Sequence, residues 1–377
     1  MTFERKRDMN NYDLYRATAQ IDLGAIRQNL LNICKKLPSG SSAIAVVKAQ
    51  AYGHGAAQVS KVLEDLVSAF AVAVPSEGEE LREAGIKKPI YILGYSHPSS
   101  YRLIIECDMV PAIYKYEDAL ALSRVAKECS KSVKINIKVD TGMRRIGFEP
   151  TAESADVVAK IASLKGVKIN GVFTHFATAD FEDKSFTCEQ YAKFEEFIEL
   201  CKNRGVEFRH ITCDNTAAAM EMPVTAKTEV RIGIGLYGYY PSDEVKRDIA
   251  LTPAMTIKSH IVSVKEIEAG QSVGYGRTFR AQRKTRLATI PVGYADGYPR
   301  LLSNQGYVLI NGQKAPVVGN VCMDMFMVDI TDIDAGDGDK VILMGKDIDA
   351  DAIAKMCQTI SYEIICGIGS RVKRVYF

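Results

Sequence analysis

Short apolar, β-branched runs alternate with longer amphipathic stretches between about residues 43 and 238. Continuous apolar strands separated by helices are typical of a parallel sheet that is covered on both faces. The pattern predicts eight strands, at Ala43–Val47, Phe70–Val74, Pro89–Leu93, Val110–Tyr114, Val133–Val139, Ile169–Thr174, Phe208–Thr212 and Val230–Leu236. It predicts helices between most of them, as at Ala56–Leu66, Tyr116–Cys129, Ala152–Leu164 and Glu189–Asn203. Eight such units favour an α/β fold of the (β/α)8 barrel type, while periodicity alone leaves a doubly wound sheet as the alternative.

The pattern changes after Tyr240. Residues 251–377 are rich in Val, Ile, Gly and Thr at strand-like spacing, for example at Met255–Val264, Thr285–Val292, Gly306–Ile310, Met325–Ile330 and Lys340–Met344. Ala17–Leu23 also alternates like a strand and is assigned to the same region. We therefore expect a flexible leader or linker at residues 1–15, a barrel at 24–245, and a mostly β-strand domain at 16–23 plus 246–377.

Composition narrows the classes of function. The chain has 377 residues, more than one ordinary core holds, and 48 basic against 46 acidic residues, for a net charge of +2. That balance argues against a nucleic-acid surface, which needs concentrated positive charge. Nine cysteines without a CxxC pair indicate reduced thiols and a cytoplasmic location. The polar leader is no secretory signal, but it also suits the cytoplasmic part of a membrane-anchored protein.

Polar and basic residues cluster where the predicted barrel strands end, which is where barrel active sites lie. They are Lys48, Lys138, Asp140, His175, the run Cys213–Thr216, and Arg231. An arbitrary lysine after a buried strand is usually one that reaches solvent. The alternative for Lys48 is a partly desolvated amine that can form a Schiff base.

The stretch AVVKAQAYGHG around Lys48 resembles the pyridoxal 5'-phosphate (PLP)-binding segment of bacterial alanine racemases. That fold type III family includes the catalytic domain of serine/alanine racemases of glycopeptide resistance. Further similar segments follow in family order: VDTGMRRIGF (139–148), GVFTHFATAD (171–180), VRIGIGLYG (230–238), SVGYGRTF (272–279), IPVGYADGYPR (290–300), VGNVCMDMFMVDI (318–330) and TISYEIICGIGSRV (359–372). The resemblance covers nearly the whole chain and implies a PLP barrel followed by a β domain.

The resemblance implies two catalytic residues. Lys48 matches the Schiff-base lysine, and Tyr275 matches the tyrosine that serves the opposite face of the substrate. Racemisation needs both, because a proton leaves one face of a planar carbanion and returns to the other. In this family the tyrosine reaches the barrel of the partner subunit, so a homodimer with shared sites is implied. Arg231 matches the arginine at the pyridine nitrogen. His175 and Arg231 match the residues that form a network near this tyrosine and the cofactor, where positive charge would favour a phenolate.

Other matches concern binding. The phosphate is expected at Tyr52, Thr216, Gly233 and Ile234, with Asn215 beside them; Thr216 stands where the family pattern has serine. Arg145 matches the arginine near the cofactor's phenolic oxygen and the substrate carboxylate. Lys138 matches a lysine that is carbamylated in many relatives, with an ordinary ion-pair partner as the alternative. Met323 and Asp324 match the partner-subunit loop at the substrate, and Tyr294 and Tyr362 match tyrosines at the entry and the phosphate.

Alanine is the expected substrate, which would supply D-amino acid for peptidoglycan, and serine is the alternative. The charged leader suits a membrane-anchored serine racemase, whereas Tyr362 is the alanine-type choice. Two other classes remain: a PLP decarboxylase, which carries an acidic residue where this chain has Arg231, and a non-catalytic PLP carrier, which lacks the second domain. No metal site is predicted.

Overall fold

The computed structural model describes residues 15–222 and 225–377. The predicted leader, residues 1–15, therefore lies outside the described residues apart from Tyr15. The chain forms two compact units. One contains the described residues up to Asp22 together with Pro253–Phe377, and its first strand is β1 (Ala17–Ile21). The other is Leu23–Thr252. Within the described residues, no helix is both long and apolar enough to cross a bilayer.

The unit Leu23–Thr252 is a barrel of eight parallel strands: β2 (Ser42–Val46), β3 (Ala69–Val72), β4 (Ile90–Ile92), β5 (Met109–Ile113), β6 (Val133–Lys138), β7 (Val167–Phe173), β8 (His210–Thr212) and β9 (Glu229–Ile232). Each strand pairs with the next in sequence as far as β8, and β2 also pairs with β9. The N–H of Thr228 donates to the carbonyl of Ile211 at 3.2 Å, and that of Arg231 to Asp214 at 3.1 Å, which links β8 to β9. The predicted barrel is confirmed, and the doubly wound alternative is wrong.

Nine helices accompany these strands in the described part of the barrel: α1 (Leu23–Cys34), α2 (Lys48–Tyr52), α3 (Ala56–Leu63), α4 (Pro75–Glu83), α5 (Tyr101–Glu106), α6 (Tyr116–Glu128), α7 (Ala152–Ala162), α8 (Ser185–Lys202) and α9 (Thr216–Glu221). Helix α6 shows why they form. It buries Ala119, Leu122, Ser123 and Ala126, which share one face at helical spacing. Acidic residues in its first turn and Lys127 in its last complement the helix dipole.

One predicted barrel strand is too long. The sequence predicts a strand over Val230–Leu236, but β9 ends at Ile232, and Ile234–Tyr237 forms a 3-10 helix. The chain leaves the strand at Gly233, whose φ of −111° and ψ of −101° lie outside the strand region. The apolar run continues past this point because the 3-10 helix is also buried.

The other unit contains a nine-stranded sheet in the order β11-β14-β17-β16-β15-β18-β10-β1-β19 and a separate pair, β12-β13. Its strands after β1 are β10 (Met255–His260), β11 (Ser263–Ile267), β12 (Ser272–Val273), β13 (Phe279–Arg280), β14 (Thr285–Ile290), β15 (Tyr307–Ile310), β16 (Gln313–Val318), β17 (Phe326–Asp329), β18 (Lys340–Met344) and β19 (Lys373–Tyr376). Its helices are α10 (Ala350–Met356) and α11 (Ser361–Cys366). The mostly β-strand character predicted for the C-terminal region is confirmed.

The continuous strand predicted at Met255–Val264 is wrong. The chain breaks between β10 and β11, and the two pieces have different neighbours: β10 pairs with β1 and β18, and β11 pairs with β14. At the break, the N–H of Ile261 donates to Asp339 and that of Val262 to Thr289. The run stays apolar through the break because Ile261 is buried as well.

Candidate active site

The turn after β2 has a left-handed backbone conformation, which L-residues disfavour. Ala49, Gln50, Ala51 and Tyr52 all have positive φ, between 51° and 55°, so α2 is one turn of left-handed helix. Each such residue costs about 1–2 kcal/mol relative to the right-handed form. Strain of this kind collects at functional sites, where the surrounding structure maintains it. Here it sets half-buried Lys48 at the start of the turn and buried Tyr52 at its end.

The end of this turn is fixed by two aromatic side chains. The Nδ1 atom of His54, which is fully buried, lies 3.1 Å from the carbonyl oxygen of Ala51 and 2.9 Å from that of Tyr52. Since both partners are acceptors, Nδ1 carries the proton. The Tyr52 ring packs on Tyr237 with centroids 4.8 Å apart, and the Tyr237 hydroxyl donates to the carbonyl of Val46 at 2.9 Å.

Gly233 lets two hydroxyls approach the backbone closely. A Cβ added there would lie 2.8 Å from the hydroxyl oxygen of Tyr52 and 3.8 Å from Oγ1 of Thr216. The N–H of Gly233 donates to Thr216 Oγ1 at 2.8 Å. Hydroxyl groups gathered at the backbone of a glycine fit an anion such as a phosphate group. Thr216 therefore supplies the hydroxyl that a serine would.

Two residues predicted to bind the phosphate beside Gly233 have different surroundings. Ile234 begins the 3-10 helix, so its N–H is one of those that have no partner inside the helix. The side-chain oxygen of Asn215 accepts the N–H of Ala218 at 3.1 Å and caps α9. The structure thus gives that Asn215 oxygen a local structural task, which the sequence analysis did not foresee.

Arg231 is buried and tightly held. Its Nη1 donates to Oγ1 of Thr212 at 2.8 Å, and its Nη2 donates to the carbonyls of Thr174 and Cys213, each at 2.9 Å. Nη2 also lies 3.1 Å from Nδ1 of His175. These bonds involve the two Nη atoms and, among the described residues, leave the Nε–H and the second Nη1–H without an acceptor. Burial lowers the pKa of Arg231 to about 10, so the guanidinium keeps its charge at neutral pH.

His175 is neutral. Burial, and then the charges of Arg231 and Arg145, hold its pKa well below the usual 6.5. Because Nδ1 accepts from Arg231, the proton lies on Nε2, which becomes a donor. In this pair the positive charge that would favour a phenolate therefore belongs to Arg231.

Lys138 is an amine in a poorly solvated place. Its side chain is buried, its Nζ donates to the carbonyl of Val139 at 2.5 Å, and Nζ lies 5.5 Å from the centre of the Phe173 ring. Burial, helped by the charges of Arg231 and Arg145, lowers the pKa of Lys138 to about 7. No carboxylate pairs with Nζ in the described part of the chain. A large share of this amine is thus unprotonated at neutral pH.

Asp140 fixes the loop that carries Arg145. One carboxylate oxygen accepts the N–H groups of Gly142 and Arg144 at 3.0 and 2.9 Å, and the other accepts that of Arg145 at 2.9 Å. Burial alone would raise the pKa of Asp140, but the hydrogen bonds from Arg144 and Gly142 outweigh it and the pKa is lowered. Asp140 is therefore a carboxylate that organises the loop.

Tyr275 belongs to the β-strand unit and is 75% exposed. It lies between β12 and β13, and its backbone carbonyl accepts from the side-chain amide of Asn320 at 2.8 Å. Gly274 and Gly276 on either side have φ of 70° and 72°, which glycine adopts without cost. The backbone is fixed while the phenol faces outward.

The loop at Met323 lies against Tyr294 in the same unit. The N–H of Tyr294 donates to Cys322, and the N–H that follows it in the chain donates to Met323. A Cβ on Gly293 would lie 2.3 Å from either carbonyl oxygen, so only glycine permits this approach. The side chains of Tyr294 and Met323 are exposed, at 44% and 52%.

An ion-pair network that the sequence analysis missed holds Asp324. Arg371 donates to Asp324 at 2.7 Å and lies 3.2 Å from buried Asp296, which also pairs with Arg16 at 2.7 Å. Tyr362 lies on α11 of the same unit and is partly buried. The structure thus gathers the predicted residues in two groups. One is at the carboxyl ends of the barrel strands, and the other is in the β-strand unit.

Comparison with known proteins matches the chain along nearly its whole length. Residues 21–241 match the family described as alanine racemase, N-terminal domain, and residues 254–376 match alanine racemase, C-terminal domain. The chain is 47% identical to an alanine racemase of Clostridium novyi over 95% of this chain and 94% of that protein. It is 40% identical to one of Methanococcus maripaludis over 95% and 98%. A solved alanine racemase of Clostridium difficile superposes with a TM-score of 0.93 at 40% identity, covering 96% of both chains.

Proposed function

The chain belongs to the alanine racemase family, and from this premise we propose that it interconverts L- and D-alanine with PLP as its cofactor. Membership confirms the class of enzyme predicted from the sequence, an amino-acid racemase and therefore an isomerase. The observation that carries the proposal for the cofactor is the close approach of the Tyr52 and Thr216 hydroxyls to the backbone at Gly233. It suits the phosphate of PLP, with Lys48 one turn of backbone away from Tyr52.

When bound, PLP supplies an electron sink that acidifies the Cα–H bond of an amino acid. Lys48 would hold the cofactor and, once released, accept or return a proton at Nζ. Arg231 would donate to the pyridine nitrogen through Nε, one of the two donors that its other bonds leave. Because arginine does not give up its proton, that nitrogen stays unprotonated. This limits how much charge enters the ring and favours reprotonation at Cα over side reactions.

The second proton acceptor in this proposal is the hydroxyl of Tyr275. It is exposed on a backbone segment that the structure fixes, which suits a group that completes a site in another subunit. Neutral His175 would donate from Nε2 to the phenolic oxygen, and the buried charge of Arg231 would favour the phenolate. We therefore propose a homodimer in which each site uses Lys48 of one subunit and Tyr275 of the other.

Lys138 fits the proposed carbamylation. Carbon dioxide reacts with an unprotonated amine, and burial supplies one by lowering the pKa of Lys138 to about 7. The product is an anion among the charges of Arg231 and Arg145, both of which act on this amine electrostatically. With no carboxylate paired to Nζ among the described residues, carbamylation is favoured over an ordinary ion pair. Arg145 would then be oriented for the cofactor's phenolic oxygen and the substrate carboxylate.

The remaining binding roles rest on the family match. Ile234 would donate its N–H to the phosphate, with Asn215 beside it. Met323, Asp324 and Tyr294 would bear on the substrate, and Tyr362 on the phosphate. Exposure of Met323 and Tyr294 and the ion pair that orients Asp324 support these assignments.

The first test is a paired measurement on purified enzyme supplied with PLP. The visible spectrum reports cofactor bound to Lys48, and loss of optical rotation with L-alanine and L-serine reports the reaction and the substrate. We expect a visible band that Lys48→Ala abolishes, and faster racemisation of alanine. A band with serine preferred would move the chain to the serine-type enzymes. No racemisation of either amino acid would refute the proposed function.

Shared sites can be tested by mixing two inactive variants, Lys48→Ala and Tyr275→Phe. A mixed dimer would contain one intact site, so random exchange should restore about a quarter of wild-type activity. If each site lay within one subunit, mixing would restore nothing. Each variant alone, taken through the same unfolding and refolding, is the control.

Serine remains the alternative substrate, because a small pocket rejects an added hydroxyl only about 10²-fold. The relatives described above are named as alanine racemases, which favours alanine. A decarboxylase is disfavoured by Arg231, and a PLP carrier by the match to the C-terminal domain. We propose a cytoplasmic location, supported by nine free cysteines, and a role in supplying D-alanine for peptidoglycan.

A further inference from the structure

We propose that Glu77 is the residue that positions Lys48, by bridging the left-handed turn after β2 to the start of α4. The proposal rests on the proposed function, since it concerns the lysine that would hold the cofactor. Glu77 touches neither cofactor nor substrate in this role. It acts through the backbone of the residue that follows Lys48.

The two oxygens of the Glu77 carboxylate serve two different loops. Oε2 accepts the N–H groups of Ala73 and Val74 at 2.7 and 3.3 Å, which caps the first turn of α4. Oε1 reaches across to the N–H of Ala49 at 2.6 Å. A residue that serves only as a helix cap needs only the first set of bonds. The bond from the Ala49 N–H to Oε1 is the observation that points to Lys48.

The N–H of Ala49 belongs to the peptide that joins it to Lys48. Fixing that N–H fixes the plane of the peptide, and with it the ψ angle of Lys48 and the direction in which its side chain leaves the backbone. The N–H also lies in the first turn of α2, where no carbonyl within the helix can accept from it. An external acceptor is therefore needed at this point, and Glu77 provides a charged one, which makes the stronger hydrogen bond.

The same helix offers a matched control. Glu80 also faces this turn, but its Oε2 accepts from the side-chain amide of Gln50 at 2.5 Å rather than from backbone. Both glutamates are partly buried and lie one helical turn apart on α4. Loss of the Glu80 charge should therefore perturb the local field in a similar way, without releasing the peptide that follows Lys48.

The test compares Glu77→Gln with Glu80→Gln in the full-length enzyme saturated with PLP. Glutamine has one acceptor oxygen, so it can keep the cap of α4 or the bond to Ala49, but not both. We expect Glu77→Gln to lower kcat about tenfold to a hundredfold, because misplacement of a reacting group by 1 Å can cost that much. The KM for alanine and the amount of PLP bound should change less than about threefold, since the phosphate residues are untouched. Glu80→Gln should match the wild type.

Three results would overturn the proposal. They are an unchanged kcat in Glu77→Gln, an equal fall of kcat in Glu80→Gln, and a loss of activity that only follows a loss of bound PLP. Glu77→Asp is the second variant, for use if the first does not fold. It keeps the charge but shortens the reach by one methylene, so it should retain the cap and lower kcat in the same way. The wild type is assayed in parallel, and failure of the wild type to racemise alanine would refute the proposed function instead.

Discussion

Replacing Lys138 by methionine should make the protein more stable at neutral pH, by an amount that shrinks as the pH rises. Methionine has a similar length and no charge to bury. The structure lowers the pKa of Lys138 from 10.5 to about 7. A shift of this size corresponds to roughly 4–5 kcal/mol, at 1.36 kcal/mol per pH unit. Lys138 is only 4% exposed, so solvent screens little of this energy.

The direction in which the unfolding free energy changes with pH depends on whether the folded or the unfolded chain binds the proton. Between pH 7 and about 10.5, the unfolded chain holds a proton on this lysine and the folded chain does not. Folding therefore releases a proton in this range, and the free energy of unfolding rises with pH. The cost of burying the amine is fully present below pH 7 and is lost as the pH approaches 10.5. Lys138→Met removes this cost at every pH.

The assay is urea unfolding of both proteins at pH 7, 8 and 9 in buffer free of carbon dioxide. The chain has no tryptophan, so far-UV circular dichroism is the signal. The difference in unfolding free energy between variant and wild type should fall by about 1.4 kcal/mol per pH unit. Titrating groups far from Lys138 cancel in that difference. A difference that stays constant from pH 7 to 9 would refute the physical picture of Lys138. Added bicarbonate should then stabilise the wild type alone, because only it can form the carbamate.

Three further changes test other parts of the site. Gly233→Ala should weaken PLP binding about 30-fold or more, because a Cβ 2.8 Å from the Tyr52 hydroxyl would displace a group that we expect to bind the phosphate. A PLP titration measures this, with Gly336→Ala, whose Cβ meets open space, as control. Arg231→Gln should raise the fraction of half-reactions that end in transamination, measured as pyridoxamine phosphate formed per racemisation, and an unchanged ratio would contradict the assigned role. Tyr275→Phe should lower kcat at least about 10²-fold with stability unchanged within ~0.5 kcal/mol, because the ring is exposed.

The sequence predicted the barrel because its strands are continuous apolar runs, and burial on both faces leaves that pattern whatever the loops do. The predicted strand ends were wrong where the chain stays buried after the strand has stopped. At Gly233, for example, a buried 3-10 helix follows β9. The order of strands in the β-strand unit could not be predicted from the sequence either. It depends on pairings such as β1 with β19, which connect opposite ends of the chain.

For the site, the family resemblance indicated which residues matter, and the structure showed their backbone conformation, hydrogen bonds and protonation. Nothing in Ala49, Gln50 or Ala51 predicts left-handed backbone, since none of them favours positive φ. Pro75 followed two residues later by Glu77 is a visible signature of a helix start, but the reach of that carboxylate to another loop is not. The neutrality of His175 depends on burial and then on cations that lie far away in the sequence, so only the folded chain shows it.

The position of β1 has a consequence for how the chain is made. Its partner β10 begins only after the whole barrel, and the two strands meet directly, with Ile21 opposite Met255 and the N–H of Asp22 bonded to Ala254 at 2.9 Å. On its other side β1 pairs with β19, the final strand. At about 5–20 residues per second, β1 leaves the ribosome roughly ten to fifty seconds before β10 exists. A nascent chain therefore carries an unpaired strand through the synthesis of an entire barrel, and its sheet can close only after β19 has been made.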